Sequence, residues 1–451
     1  MSSLMVSISG LRGIIGETLT PEVVVRYTAA FAEYCSRKPV VIGRDGRITG
    51  TMINDIASAT LLAMGCDVID LGICPTPTVQ LAVEKLQAAG GIAITASHNP
   101  IQWNGLKFLA GTGLFLNGEE NKQFWKLAEQ TPRYVPWDKT GRYSAREDFI
   151  DQHIQAVRSL PFINSAVITK RKFRIVLDCV NAAGGLVIPK LLKLLGCTVI
   201  PLNCDVTGIF AHTPEPIPEN LTGLANRVVT EKADMGIAVD PDVDRVVFID
   251  EFGEPIGEEY TVTSAIRFIL SRTEQKEAKV VVNLSTTRAV DDVARRYAAT
   301  VVRTAVGEIN VTTKMREIGA LVGGEGSGGV ILPQVHLGRD ALVGVGLIVQ
   351  ELAEFNGSMS EFKASLPQYF ITKSKIELGT MNPDSVIESI KKRYASEKIN
   401  EDDGLKIDFA DYWVHLRKSN TEHIIRIIAE ARTPEKAQKV VGDFMKEIKT
   451  P

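Results

Sequence analysis

The chain has 451 residues, 45% of them hydrophobic and 23% charged, with 37 glycines and 20 prolines. At roughly 150 residues per domain this is material for about three domains, and the composition excludes disordered, collagen-like and coiled-coil rod classes. Lys plus Arg number 51 against 54 Asp plus Glu, a formal net charge of −3, so no global basic field attracts nucleic acid or an anionic membrane and any anion site must be local.

Thr20-Pro21-Glu22 opens a helix, with apolar residues recurring at helical spacing as far as Tyr34. Val40-Val41-Ile42 reads as a buried strand, residues 52–64 as a helix, and Cys66 to Leu71 as a second strand after the Gly65 stop. This β-α-β unit returns twice. Phe173 to Leu177, Val187 to Leu195 and Cys197 to Leu202 form the second copy, with Gly196 in the place of Gly65. Residues 279–306 carry a third. From about residue 400 the character changes. Alternating Leu405, Ile407 and Phe409 and the stretches 412–416 and 424–428, flanked by helices near 383–396 and 434–448, predict an antiparallel sheet. The predicted architecture is three tandem related α/β domains with mixed sheets plus a C-terminal α+β domain with an antiparallel sheet, bounded at 1–150, 151–253, 254–370 and 371–451.

The six cysteines include no C-x-x-C pair and lie beside apolar stretches, which reads as buried free thiols in a reducing compartment. The N-terminus has no basic region followed by a continuous apolar one, and nowhere do about 18 apolar residues run together. A cytoplasmic protein without a membrane span is expected.

Four segments carry groups capable of chemistry. Residues 90–100 form a buried strand that breaks into a polar turn with Ser97, His98 and Asn99, at the strand end where α/β proteins place ligands; a plain Ser/Asn turn closed by Pro100 is the bland alternative. Asp240, Asp242 and Asp244 alternate after another strand, and three converging carboxylates suit Mg²⁺ or Ca²⁺. Arg245 stands where an EF-hand needs glycine, which excludes that motif, and a solvated acidic turn would leave three like charges repelling. Residues 323–329 fail the dinucleotide-loop test because a strand-like run follows them; Glu325 and Ser327 there suit a polyol, or the loop is only a flexible turn. Residues 417–426 gather Arg417, Lys418, Ser419, Asn420, Thr421 and Arg426, the inventory of a phosphate cradle or of an ordinary basic hairpin.

Together, and in this order, the four segments resemble the α-D-phosphohexomutase family over nearly the whole chain: Thr95 to Pro100 matches its phosphoserine loop, and the other three match its metal, sugar and phosphate loops. Ser9-Gly10-Leu11-Arg12-Gly13 matches the core of its N-terminal motif, and Asn104-Gly105-Leu106-Lys107 supplies a lysine at its active-site position. The resemblance implies a central cleft, Ser97 carrying a phosphoryl group, and Mg²⁺ held by Asp240, Asp242, Asp244 and a phosphoserine oxygen. Arg12, His98, Lys107 and Arg245 would surround the reacting group. Glu325 and Ser327 would grip sugar hydroxyls, and Arg417, Ser419, Asn420, Thr421 and Arg426 the non-reacting phosphate. A sugar 1,6-bisphosphate would serve as intermediate and activator.

Departures from the family's usual motifs bear on these roles. Pro241 and Val243 replace glycines of the metal loop, implying positions that need no positive φ. Gly329 stands where many members have His, which leaves Lys107, His98 and His336 as proton-transfer candidates. Within the family the loops look most like phosphoglucosamine mutases, with phosphomannomutase/phosphoglucomutase next; a Ser-dependent, metal-assisted sugar phosphatase and a non-catalytic sensor are further alternatives. Hexose or hexosamine phosphates are the expected partners, with no nucleic acid and no membrane, for a monomer or homodimer.

Overall fold

The computed structural model describes residues 4–8, 10–379, 381–418 and 423–449. Strand Val40–Arg44, helix Gly50–Ala63 and strand Val68–Ile73 make a parallel β-α-β unit. Val40, Val41 and Ile42 are fully buried, as expected of a strand covered on both faces. The unit recurs as Arg174–Asp178, Gly184–Leu194 and Thr198–Leu202, and again as Lys279–Asn283, Ala289–Arg296 and Thr300–Thr304. Gly65 and Gly196 occupy matching left-handed positions after their helices, both at φ 89°. Each unit sits in its own mixed sheet, of seven, four and five strands. The fourth sheet is antiparallel throughout, in the order Phe370–Glu377, Ile424–Ala431, Tyr412–Lys418, Leu405–Asp408, Lys398–Asn400. This is the predicted fold class. Two of its strands, Phe370–Glu377 and Lys398–Asn400, were not anticipated. Among the described residues no helix is long and apolar enough to cross a membrane, and all six cysteines are free, five of them buried.

Two polar junctions set the relation between sheets. In the first, Asp340 caps helix Ala341–Phe355 through Oδ1, which accepts from Leu342 N and Val343 N, while its Oδ2 accepts from His153 (2.7 Å) and His336 (3.1 Å). Thr78 completes the cluster against His153 Nδ1 at 2.9 Å, so side chains from three distant stretches of chain are pinned together without exposure. In the second, the Arg288 guanidinium bonds Asp408 and the carbonyls of Phe409 and Tyr412, and Glu430 accepts from Arg288 N and Trp413 Nε1. That contact turns strands Tyr412–Lys418 and Ile424–Ala431 toward the third sheet.

Asp340→Asn should cost about 3 kcal/mol of stability, because an amide that keeps its oxygen on the helix cap turns N–H donors toward two buried imidazoles that had donated to a carboxylate. The pH dependence has a definite sign. Burial disfavours charge on His336, but the Asp340 hydrogen bond and charge outweigh it and raise the imidazole above its ordinary 6.5. His153 and His336 hold Asp340 below its ordinary 3.8 in spite of burial. The His336 contribution is present below pH 6.5 and lost as pH rises through its raised folded value; the Asp340 contribution is lost as pH falls below 3.8. Urea unfolding should therefore show the wild-type advantage over Asp340→Asn larger at about pH 5.5 than at about pH 9.

Candidate active site

Strand Gly90–Ile94 delivers Thr95, Ala96 and Ser97 to its carboxyl end. Ser97 is 1% exposed and held at φ 50°, a left-handed conformation that costs a non-glycine residue energy unless its surroundings enforce it. Arg47 enforces it. Its buried guanidinium donates to the carbonyls of Ser97 (2.6 Å), Asn99 (2.7 Å), Pro100 (2.9 Å) and Trp103 (2.9 Å), and Nε pairs with Asp45 at 3.1 Å. Thr95 Oγ1 donates to Asp45 Oδ2 and accepts from Ser97 N. Neither Asp45 nor Arg47 was anticipated. The only signal was a run of charge, Arg44-Asp45-Gly46-Arg47, directly after a buried strand.

The fully buried strand Met235–Val239 leads into Asp240, Asp242 and Asp244, each 0% exposed. Ser97 Oγ donates to Asp240 Oδ2 at 3.2 Å, which puts the hydroxyl against the carboxylate trio. Lys107 Nζ lies 2.6 Å from Asp242 Oδ2 and 3.3 Å from Asp244 Oδ2, Arg339 Nη2 lies 2.7 Å from Asp244 Oδ2, and Arg245 flanks Asp244 Oδ1 at 3.7 Å. Burial, and then repulsion from Asp244 and Asp242, pushes the Asp240 carboxyl well above the usual range. In spite of burial, Arg339, Lys107 and Arg245 hold Asp244 below it. The trio also keeps unused capacity: Asp242 Oδ1 and Asp244 Oδ1 are buried with no hydrogen-bond partner. Converging hard oxygens with unpartnered lone pairs can hold a divalent metal ion.

The expectation of ordinary φ in this loop fails at one position. Pro241 conforms, but Val243 adopts φ 61°, an outlier for a β-branched side chain. Its side chain is fully buried in the core, its N–H donates to Asp240 O, and its carbonyl accepts from Ala341 N at 3.1 Å. Apolar burial and two backbone bonds offset the strain.

Arg12, Lys107 and Arg245 line one wall of a cavity of about 360 Å³, whose other walls include Glu325, Ser327, Arg417 and Arg426. Glu325 ends strand Val322–Glu325, with Oε1 accepting from Asn283 Nδ2 (2.8 Å) and Gly307 N (2.9 Å). Arg417 and Arg426 face each other directly across an antiparallel pair, a repulsive placement that an anion relieves. Asp403 steadies Arg417 at 2.8 Å. Ser419, Asn420, Thr421 and Ser9 lie outside the described residues.

His98 Nδ1 shares the Ser97 hydroxyl at 3.3 Å, but burial and the charges of Arg245 and Arg12 depress its pKa to about 2, so the imidazole stays neutral at working pH. Arg12 bonds Asn99 Oδ1 at 3.1 Å. His336 does not line the cavity; it is consumed by the Asp340 junction. Four charged cavity residues went unrecognised in the sequence: Glu308, Arg339, Lys373, and Glu259, whose carboxyl burial pushes up to about 8.

Four profiles described as phosphoglucomutase/phosphomannomutase domains match the chain in order: alpha/beta/alpha domain I at 5–134, domain II at 151–253, domain III at 257–370, and the C-terminal domain at 379–447. The chain belongs to the phosphoglucomutase/phosphomannomutase family. It is similar to a phosphoglucomutase/phosphomannomutase of Thermococcus kodakarensis, 38% identical with 95% of each chain covered. It is also similar to a phosphoglucosamine/phosphogalactosamine mutase of Sulfurisphaera tokodaii, 32% identical with 97% of each covered. Among solved structures, a phosphoglucomutase/phosphomannomutase family protein of Burkholderia thailandensis superposes with a TM-score of 0.85 at 26% identity, covering 99% of this chain and 98% of that one. As a member of this family the protein is a phosphohexomutase, an isomerase of the phosphotransferase kind.

Proposed function

We propose that the enzyme interconverts glucosamine 6-phosphate and glucosamine 1-phosphate through a phosphorylated Ser97 and a sugar bisphosphate. The observation that carries this reading is the 3.2 Å contact between Ser97 Oγ and Asp240, which joins a nucleophile to a buried trio with free lone pairs. The hexosamine preference is supported by the loop sequences and by the name of the Sulfurisphaera relative.

Phosphoryl transfer asks mainly for alignment and charge stabilisation. Mg²⁺ held by Asp240, Asp242, Asp244 and a phosphoserine oxygen would supply neutralisation of the transferring group. Around it, Arg12, Lys107 and Arg245 present cationic donors. The bond from phosphorus to Ser97 Oγ breaks as one forms to the free sugar hydroxyl, and the proton that hydroxyl loses is balanced by one taken up at Ser97 Oγ, giving the bisphosphate and a free serine. The bisphosphate reverses in the cavity, and as its other phosphoryl group returns to Ser97 the bond from phosphorus to the sugar oxygen breaks, the proton lost by the serine hydroxyl balancing the one gained by that oxygen. Glu325 and Ser327 hold sugar hydroxyls in both orientations, while Arg417 and Arg426, with Ser419, Asn420 and Thr421, take whichever phosphate is not reacting.

The test is a panel of glucosamine, N-acetylglucosamine, mannose and glucose phosphates, each with Mg²⁺ and its bisphosphate, compared by kcat/KM. Glucosamine phosphate should lead by at least about tenfold, the worth of one well-read substituent. A lead by mannose or glucose phosphate would assign the enzyme instead to the activity named for the Thermococcus relative. Release of inorganic phosphate without isomer would make it a phosphatase.

A further inference from the structure

Arg339 ends strand His336–Arg339 and reaches the cavity with a guanidinium that binds three carboxylates from three segments. Nη2 donates to Asp244 Oδ2 in the metal loop at 2.7 Å, Nη1 to Glu325 Oε2 in the sugar loop at 2.8 Å, and Nε to Glu308 Oε2 at 3.1 Å. Glu308 is fixed in turn by Gln80 Nε2 and by Arg339 N, both at 3.2 Å. The arm lies across Gly329: a Cβ there would collide with Arg339 Cδ. Gly329 is thus the space through which the side chain passes. No other guanidinium among the described residues bonds both the trio and Glu325.

We propose that Arg339 is a positioning residue that couples the metal loop to the sugar loop, holding Glu325 for the sugar while competing with the metal ion for Asp244. The inference rests on the roles given above to Asp244 and Glu325. It has a signature that simple structural support lacks. A guanidinium beside Asp244 lowers the pull of the trio on a cation, so its removal strengthens metal binding. The same removal leaves Glu325 and Glu308 unneutralised beside an anionic ligand, each with its Oε2 no longer held, so sugar phosphate binding weakens. The two affinities should move in opposite directions.

The experiment uses the full chain in a Ser97→Ala background, so that turnover does not intrude, and measures Mn²⁺ binding by electron paramagnetic resonance and glucosamine 6-phosphate binding by calorimetry. Arg339→Met should tighten Mn²⁺ by about tenfold and weaken glucosamine 6-phosphate by about tenfold or more. Arg339→Lys keeps the charge but not the three-way fork, so Mn²⁺ affinity should stay within about threefold of the parent while the sugar phosphate still weakens. Gly329→Ala, which evicts the arm, should follow Arg339→Met. Parent-like affinities in Arg339→Met, or both affinities falling together with the melting temperature, would overturn the proposal. A parent protein that binds neither probe would instead sink the proposed function.

Discussion

Ser97→Ala should abolish isomerisation, lowering kcat/KM by at least about 10⁴-fold, as loss of a covalent nucleophile does. The fold should survive. The turn is held by Arg47 through four main-chain carbonyls and by Thr95 through Ser97 N, none of which needs the serine hydroxyl. Alanine meets the same left-handed φ of 50° at a similar cost. What disappears are the hydroxyl's contacts with Asp240 and His98 Nδ1, worth about 1 kcal/mol each. A coupled isomerase assay, with urea unfolding and intact mass, separates the two effects. The wild type should accept one phosphoryl group from the sugar bisphosphate, and the variant none. Wild-type turnover in the variant would end the assignment.

How much of this was legible beforehand follows from the range of the interactions. Strands such as Val40-Val41-Ile42 were readable because burial on both faces leaves a continuous apolar run. Strand Phe370–Glu377 was not, because only Ile376 of its eight residues is buried and its faces carry Thr, Ser and Lys. Ser97, the aspartate trio, Glu325 and the Arg417 to Arg426 hairpin were legible as unusual local groupings. Arg47, Glu308 and Arg339 were not. Each is an unremarkable charged residue in its own neighbourhood and acquires meaning from partners far off in sequence, Asp244 for Arg339 and the carbonyls of the serine turn for Arg47. The positive φ of Val243 was hidden for the same reason. The strain is enforced by a core and by an Ala341 N–H that belong to other elements.

The second large effect is expected at Asp242, where an isosteric change removes metal binding. Asp242 Oδ2 is taken by Lys107 Nζ at 2.6 Å and Thr76 Oγ1 at 2.7 Å, and Oδ1 is the buried atom without a partner. An asparagine has one oxygen to divide between these duties. If the oxygen keeps Lys107 and Thr76, the amide N–H₂ faces the vacant lone-pair position and offers donors where a ligand is needed. If the amide turns over, donors face the Lys107 ammonium. Either way Asp242→Asn should lose at least about 10²-fold in kcat, the scale seen when one charge-stabilising group is removed. A second readout is independent of turnover. An ion that binds only the folded protein stabilises it by about 2.7 kcal/mol at a hundred times its Kd, so adding Mg²⁺ to EDTA-treated wild type should raise the melting temperature by several degrees. Asp242→Asn should show little or no rise at the same concentration. Without metal the variant should stay folded, because Lys107 keeps Asp244 at 3.3 Å and one of three mutually repelling carboxylates has been removed. An equal Mg²⁺-induced rise in both proteins would place the ion elsewhere and leave the 3.2 Å contact of Ser97 with Asp240 without its proposed purpose.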